Sequence, residues 1–242
     1  MARHVHPPIS GHGPTQPDSA THPDVAFLYR RDRRFPAGSI VPDLTHLAPG
    51  DVLLFHSGGQ ITNPVTFYQR MCGHPMDAAG YTHAALFLRD DRIVHATPEL
   101  SLIGTTGVRV IPLFDCWANQ SLTVLRAHRL SWTQLLEIAL SGSAMHGLRY
   151  GYQGIRFAIR HLLRLRPNTT QSDIDDLIRE QHAGQPTEAL PTTSSCARLV
   201  ISAFDRVDPG HLRGRRRSPI PLPADLAALA SLHDIRMPYV QL

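Results

Sequence analysis

The sequence predicts an α+β fold, and two observations carry that expectation. Between residues 50 and 128 the chain runs through short β-rich segments, two of them joined by a hairpin-sized polar turn. From residue 131 onward the apolar residues recur at helical spacing instead. Strands gathered in one region and helices in another point to an antiparallel sheet with helices packed against it.

The first β-rich run is "GDVLLFH" (50–56), which follows Pro49-Gly50 and reads as a buried strand. "NPVTFYQRMCG" (63–73) reads as a helix that opens at Asn63, places Pro64 at its first position and stops at Gly73 and Pro75. "YTHAALFLRDDRIVHAT" (81–97) carries two β-rich runs around a polar turn. "GVRVIPL" (107–113) and "LTVLRAH" (122–128) add two strands. "SWTQLLEIALSGSAMHG" (131–147) has Ser131 at an N-cap position and Gly147 at its end. Helices are also expected over 152–166 and 171–183, and "GQPTEALPTT" (184–193) is read as a loop. The next helix carries Cys196, Leu199, Val200, Ala203, Phe204 and Val207 on one stripe. A short helix near 224–232 and a strand near 236–240 finish the chain. Residues 1–24, rich in Pro, Gly, His, Ser and Thr without periodicity, read as a disordered arm; His4, His6 and His12 are taken as part of it. Residues 25–242 are then a single domain.

Composition narrows the function classes. At 42% hydrophobic and 18% charged residues the chain has the make-up of a globular protein. All 24 basic residues are arginine, so no lysine is available as a base, a Schiff-base former or a phosphate clamp. The net charge of +4 is too small to imply nucleic acid, and no nucleic-acid partner is expected. No apolar run spans a bilayer, and the N-terminus lacks the apolar block of a signal peptide. A cytoplasmic protein is therefore expected, with export by another route left open. Three cysteines, Cys72, Cys116 and Cys196, form neither a disulfide framework nor a zinc-finger pattern. No metal and no organic cofactor are expected.

The stretch "TTSSCARLVISAF" (192–204) holds the chemistry-bearing residue. Ser194 or Ser195 can cap the helix, which leaves Cys196 in the first turn, where the dipole and free N–H groups favour a thiolate and can hold an oxyanion. Cys196 also lies on the apolar stripe, so a buried structural thiol is an equally open reading. A nucleophile needs a base, and His83 and His95 lie on the two arms of the hairpin. An odd-numbered loop, such as 89–91, sets Ala85 opposite His95 and makes the two histidines diagonal neighbours on one face, roughly 7–8 Å apart at the backbone. A two-residue loop at Asp90-Asp91 places them on opposite faces. Hydrogen-bonded structural histidines are the alternative for both.

The order "GDVLLF", "THAALFL", "IVHAT", "GVRVIPL", "HGLRYG" and "SSCARLVISAF" resembles the permuted papain-like amidases, the YaeF/YiiX-type relatives of the NlpC cell-wall endopeptidases. The resemblance covers roughly residues 49–208. In that group the histidine strands precede the cysteine helix, as His83 precedes Cys196 here. It implies a circularly permuted papain-like fold with Cys196 as nucleophile, His83 as general base and His95 as the residue that orients it. A glutamate stands at the last position in many members, so His95 is a departure; related unpermuted endopeptidases accept a histidine. By the same resemblance Tyr150, in "GLRY", and Ser195 are auxiliary or oxyanion residues, and 152–190 is a helical insertion. The implied activity is hydrolysis of an amide in a peptide or cell-wall peptide, through a thioester acyl-enzyme.

Two alternatives stand beside it. The layout also resembles the lecithin:retinol acyltransferase group, which acts on lipid esters or thioesters. The basic amphipathic run "FAIRHLLRLR" (157–166) and the arginines of "RGRRRSP" (Arg213, Arg215, Arg216 and Arg217) offer peripheral membrane contact suited to a lipid acyl substrate. The preferred readings are a solvated loop for the arginines of 213–217 and, for 157–166, a surface helix whose apolar side meets the core. The second alternative is a catalytically inactive binding module on the same fold.

Overall fold

The computed structural model describes residues 40–56, 63–97, 107–117, 121–151, 193–212, 214 and 220–241. The chain divides into two compact units, one drawn from Met1–His46 with Met237–Leu242, the other Leu47–Arg236. In the first, β1 (Ile40–Pro42) pairs antiparallel with the last strand, β10 (Tyr239–Gln241), and Asp43 caps the 3-10 turn Leu44–His46 through Thr45.

The second unit is mixed α+β and holds a six-stranded antiparallel sheet. Its strands are β2 (Val52–His56), β3 (Tyr81–Arg89), β4 (Arg92–Thr97), β5 (Gly107–Pro112), β6 (Ser121–Ala127) and β9 (Leu232–Ile235), in the order β5-β4-β3-β2-β6-β9. Val52, Leu53, Leu54 and Phe55 are all fully buried, so β2 is covered on both faces and has no polar alternation to show.

Helix α1 (Pro64–Met71) starts as the sequence predicts: the Asn63 side chain accepts the Val65 N–H at 2.9 Å, and Pro64 takes the first helical position. Gly73 follows in the left-handed region, at φ 83°. Gln69 on this helix is fully buried and fully used. Its amide donates to the Ala79 and Tyr81 carbonyls at 2.8 Å each, and its oxygen accepts the Ala224 N–H at 2.9 Å. One side chain thus ties α1 to α2 (Met76–Ala79), β3 and α6 (Pro223–Ala227) without an unsatisfied polar atom. Nearby, His74 Nε2 lies 3.2 Å from Asp225 Oδ1, both residues buried.

Two further helices cover one face of the sheet. α4 (Trp132–Ser143) opens with a capping box in which Ser131 and Gln134 exchange bonds. It stops four residues short of the expected end at Gly147, because turns carry the chain from Ala144 to Gly147, at φ 87°. Gly142 lets α4 approach closely: a Cβ there would sit 2.9 Å from Leu86 and 3.1 Å from Val94. α5 (Cys196–Asp205) buries Leu199, Val200, Ala203 and Phe204 as expected, and Ala197 and Ile201 widen the stripe. These residues share one core with Val52, Leu54, Ala84, Leu86, Val94, Ala96 and Val108 of the sheet.

Some expectations need correction. The segment near 224–232 is not one helix: α6 ends at Ala227 and β9 begins at Leu232, followed by β10. Part of the loop expected at 184–193 is strand, since β8 (Thr193–Ser194) pairs in parallel with β7 (Arg149–Tyr150). A five-residue helix, α3 (Leu113–Trp117), follows β5 directly. The helices expected over 152–166 and 171–183, the insertion at 152–190, the arm at 1–24 and the arginine side chains of 213–217 lie outside the described residues.

The sheet is tied to its flank by Asp51, which is fully buried. Its carboxylate accepts Arg126 Nε at 2.8 Å, Arg126 Nη2 at 2.7 Å and the Ala48 N–H at 2.8 Å. Arg126→Met strands that carboxylate in the interior, and urea denaturation is expected to show a loss of about 3 kcal/mol. Asp51→Asn with Arg126→Met, which removes both charges, is expected to recover part of it.

Candidate functional site

The site is built on the β3–β4 hairpin. Its turn is Asp90-Asp91, the two-residue loop that by itself separates His83 and His95 onto opposite faces. The ladder is not regular, however. Phe87 pairs with Ile93 and Arg89 with Arg92, so Leu88 is bulged out. The extra residue restores the register in which Ala85 faces His95, and the two histidines share a face as diagonal neighbours. Their rings meet edge-on, with His83 Nε2 and His95 Nδ1 3.0 Å apart in a hydrogen bond.

Phe55, opposite His83 on β2, packs its ring 5.7 Å from the His83 ring, centroid to centroid. Burial, with the His95 ring as a second cause, holds His83 down to about 3; burial alone holds His95 down to about 4. Both imidazoles are therefore neutral at neutral pH, and a single proton lies between them.

Cys116 is the thiol beside these rings. It sits on α3, half-buried, with Sγ 3.9 Å from His95 Nδ1. Cys116 Sγ and a ring nitrogen of each histidine all lie within 4.8 Å of one another. Burial, then the nearby Cys196 thiol and Asp115, push Cys116 up to about 12.

Cys196 opens α5, as expected, and its sulfur meets β3 at the backbone beside His83. The backbone N–H groups of Ala84, Ala197 and Cys196 lie close enough to favour its charged form. The expected thiolate does not result: burial outweighs those N–H groups and pushes the thiol up. The helix cap also differs. Ser195 occupies the N-cap position without a side-chain capping bond, and the Ser194 hydroxyl donates to the Ser195 carbonyl at 3.2 Å. Among the described residues no hydrogen bond joins the Cys196 sulfur to an imidazole. The Cys196 thiol nonetheless lies close enough to Cys116, and so to the histidine cluster, for the two sulfurs to influence each other.

Tyr150 is brought to the head of α5 by the β7–β8 pair, where it stands opposite Ser194. The Gly151 N–H donates to the Ser194 carbonyl at 3.1 Å, and Val108 and Leu148 tie β7 to β5. The hairpin thus joins His83 with His95, the strap places Tyr150 and Ser195 beside the Cys196 segment, and Cys116 completes the histidine cluster. The sequence offered one signal for Cys116, its place a few residues beyond the strand that pairs with the strand of His95. Four other histidines have structural partners: His74 lies against Asp225, His56 packs edge-on against Tyr81, the His128 and His233 rings lie 4.2 Å apart, centroid to centroid, and His146 Nδ1 accepts the Val110 N–H.

No protein-family profile matches the chain, and a search of curated proteins finds no match. Among the described residues no helix is long and apolar enough to cross a membrane.

The depressed imidazoles couple stability to pH. The unfolded chain binds protons at these histidines below about 6.5, whereas the folded chain does so only near 3 and 4. Their stabilising contribution is complete above pH 6.5 and is lost progressively as pH falls through about 4 towards about 3. The thermal midpoint is expected to drop across that window, and less steeply in His83→Gln/His95→Gln, as followed by calorimetry. Mass-resolved alkylation of Cys196 is expected to accelerate continuously from about pH 7 to about pH 9, as for a thiol with a raised pKa. A rate already flat at neutral pH would contradict that assignment.

Proposed function

We propose that the chain is a cysteine hydrolase with a circularly permuted papain-like arrangement, in which Cys196 is the nucleophile, His83 the general base and His95 the residue that orients it. The observation that carries this reading is the 3.0 Å bond between His83 Nε2 and His95 Nδ1, one residue along β3 from the N–H that the Cys196 sulfur engages. With its proton on Nε2, donated to His95, His83 keeps a lone pair on Nδ1 to take the thiol proton.

Cys196 Sγ then attacks the carbonyl carbon of an amide. The carbon–nitrogen bond breaks, His83 returns the proton to the leaving amine, and a thioester remains on Cys196. Water, deprotonated by His83, opens the thioester and regenerates the thiol. The Cys196 N–H at the head of α5, with the Tyr150 hydroxyl, would hold the oxyanion. A peptide or cell-wall peptide is the substrate class proposed first; a lipid ester or thioester is the alternative acyl donor for the same step.

A second reading has its own observation. The Cys196 thiol is protonated and makes no hydrogen bond to an imidazole among the described residues, as in a binding module that does no chemistry. Alkylation separates the two. The hydrolase reading expects His83→Ala to slow iodoacetamide labelling of Cys196 by at least about tenfold. Cys196→Ser is expected to remove turnover by about 10³-fold or more. Labelling of Cys196 by an amide-type acyl probe, against a lipid-ester probe, identifies the bond. Labelling indifferent to His83→Ala, with neither probe captured, refutes the hydrolase.

A further inference from the structure

We propose that His83 Nε2, His95 Nδ1 and Cys116 Sγ form a three-ligand site for a thiophilic divalent cation of the zinc class, with the fourth position open. These residues come from three elements, β3, β4 and α3, yet their ligand atoms lie within 4.8 Å of one another. Two of the separations are 3.0 Å, nitrogen to nitrogen, and 3.9 Å, sulfur to nitrogen. Zinc bonds of about 2.0–2.1 Å to nitrogen and about 2.3 Å to sulfur place these tetrahedral ligands about 3.3–3.6 Å apart, so small side-chain shifts seat the ion. Two imidazoles and one thiolate are the donor types such a metal selects over magnesium or calcium.

Binding balances simply. Cys116 Sγ forms a bond to the metal as its proton leaves to solvent. The proton shared between the rings moves to the remote nitrogen of whichever ring carried it, which frees lone pairs on both His83 Nε2 and His95 Nδ1. The ion takes the place of the hydrogen bond between the histidines, so metal occupancy and the triad proposed above exclude each other. The site itself is argued from ligand geometry and does not rest on the hydrolase reading.

Cobalt(II) titration of the reduced full-length protein, without air, tests it. One equivalent is expected to develop a thiolate-to-cobalt charge-transfer band that zinc bleaches. Cys116→Ser is expected to abolish the band, while Cys72→Ser and Cys196→Ser keep it; His95→Gln is expected to weaken binding by at least about tenfold. Histidines elsewhere in the chain do not contribute to a sulfur band. A band absent from the folded wild-type protein, or one that survives Cys116→Ser, overturns the proposal. Should that variant not fold, alkylation of the wild-type protein decides: zinc is expected to shield Cys116 and leave Cys72 reactive, and equal labelling with and without zinc refutes the site.

Discussion

One bulged residue, Leu88, sets the parity of the hairpin, and the candidate site depends on that parity. A strand has a side-chain period of two, so an extra residue between Phe87 and Arg89 moves every later residue to the other face relative to its partner strand. The tight Asp90-Asp91 turn and the bulge act together. The turn alone divides the histidines, and the bulge alone needs a different loop. Their combination sets two imidazoles edge to edge, next to Phe55 of β2 and within reach of a thiol from α3.

The same burial that holds the sheet together determines the chemistry available there. Two rings and two thiols are kept neutral because the interior offers charge little solvation. The sulfur of Cys196 shows the balance most plainly: three N–H donors do not offset what it loses by leaving water. By contrast, the Asp51 carboxylate carries its charge into the core because the Arg126 guanidinium grips both of its oxygens. A reaction through Cys196 would generate its charge transiently, by passing the thiol proton to a neutral ring.

Much of the scaffold was legible because its signals are local. Asn63-Pro64, the Ser131 N-cap and the β-rich runs each specify a conformation within a few residues, and the structure has them. The pairing of His83 with His95 was legible only as two alternatives, since no residue in "LRDDR" announces a bulge. The cap at α5 differs from the expectation because Ser194 and Ser195 look like capping residues, whereas Ser195 makes no side-chain capping bond and the Ser194 hydroxyl turns to the Ser195 carbonyl. Cys116 was passed over because a five-residue helix carries too little periodicity to reveal what it faces. The two-residue strands β7 and β8 leave no sequence pattern at all, and their pairing is a tertiary fact.

That short pair has an architectural consequence. Tyr150 and Ser194 are ladder partners, held by the Gly151 N–H donating to the Ser194 carbonyl, although more than forty positions separate them in the chain. Whatever the intervening stretch does, it departs from and rejoins the scaffold at nearly one point. Lengthening such a stretch costs closure entropy that grows only logarithmically. Evolution or an engineer can therefore exchange it as a cassette while the sheet, the hairpin and the head of α5 stay in place.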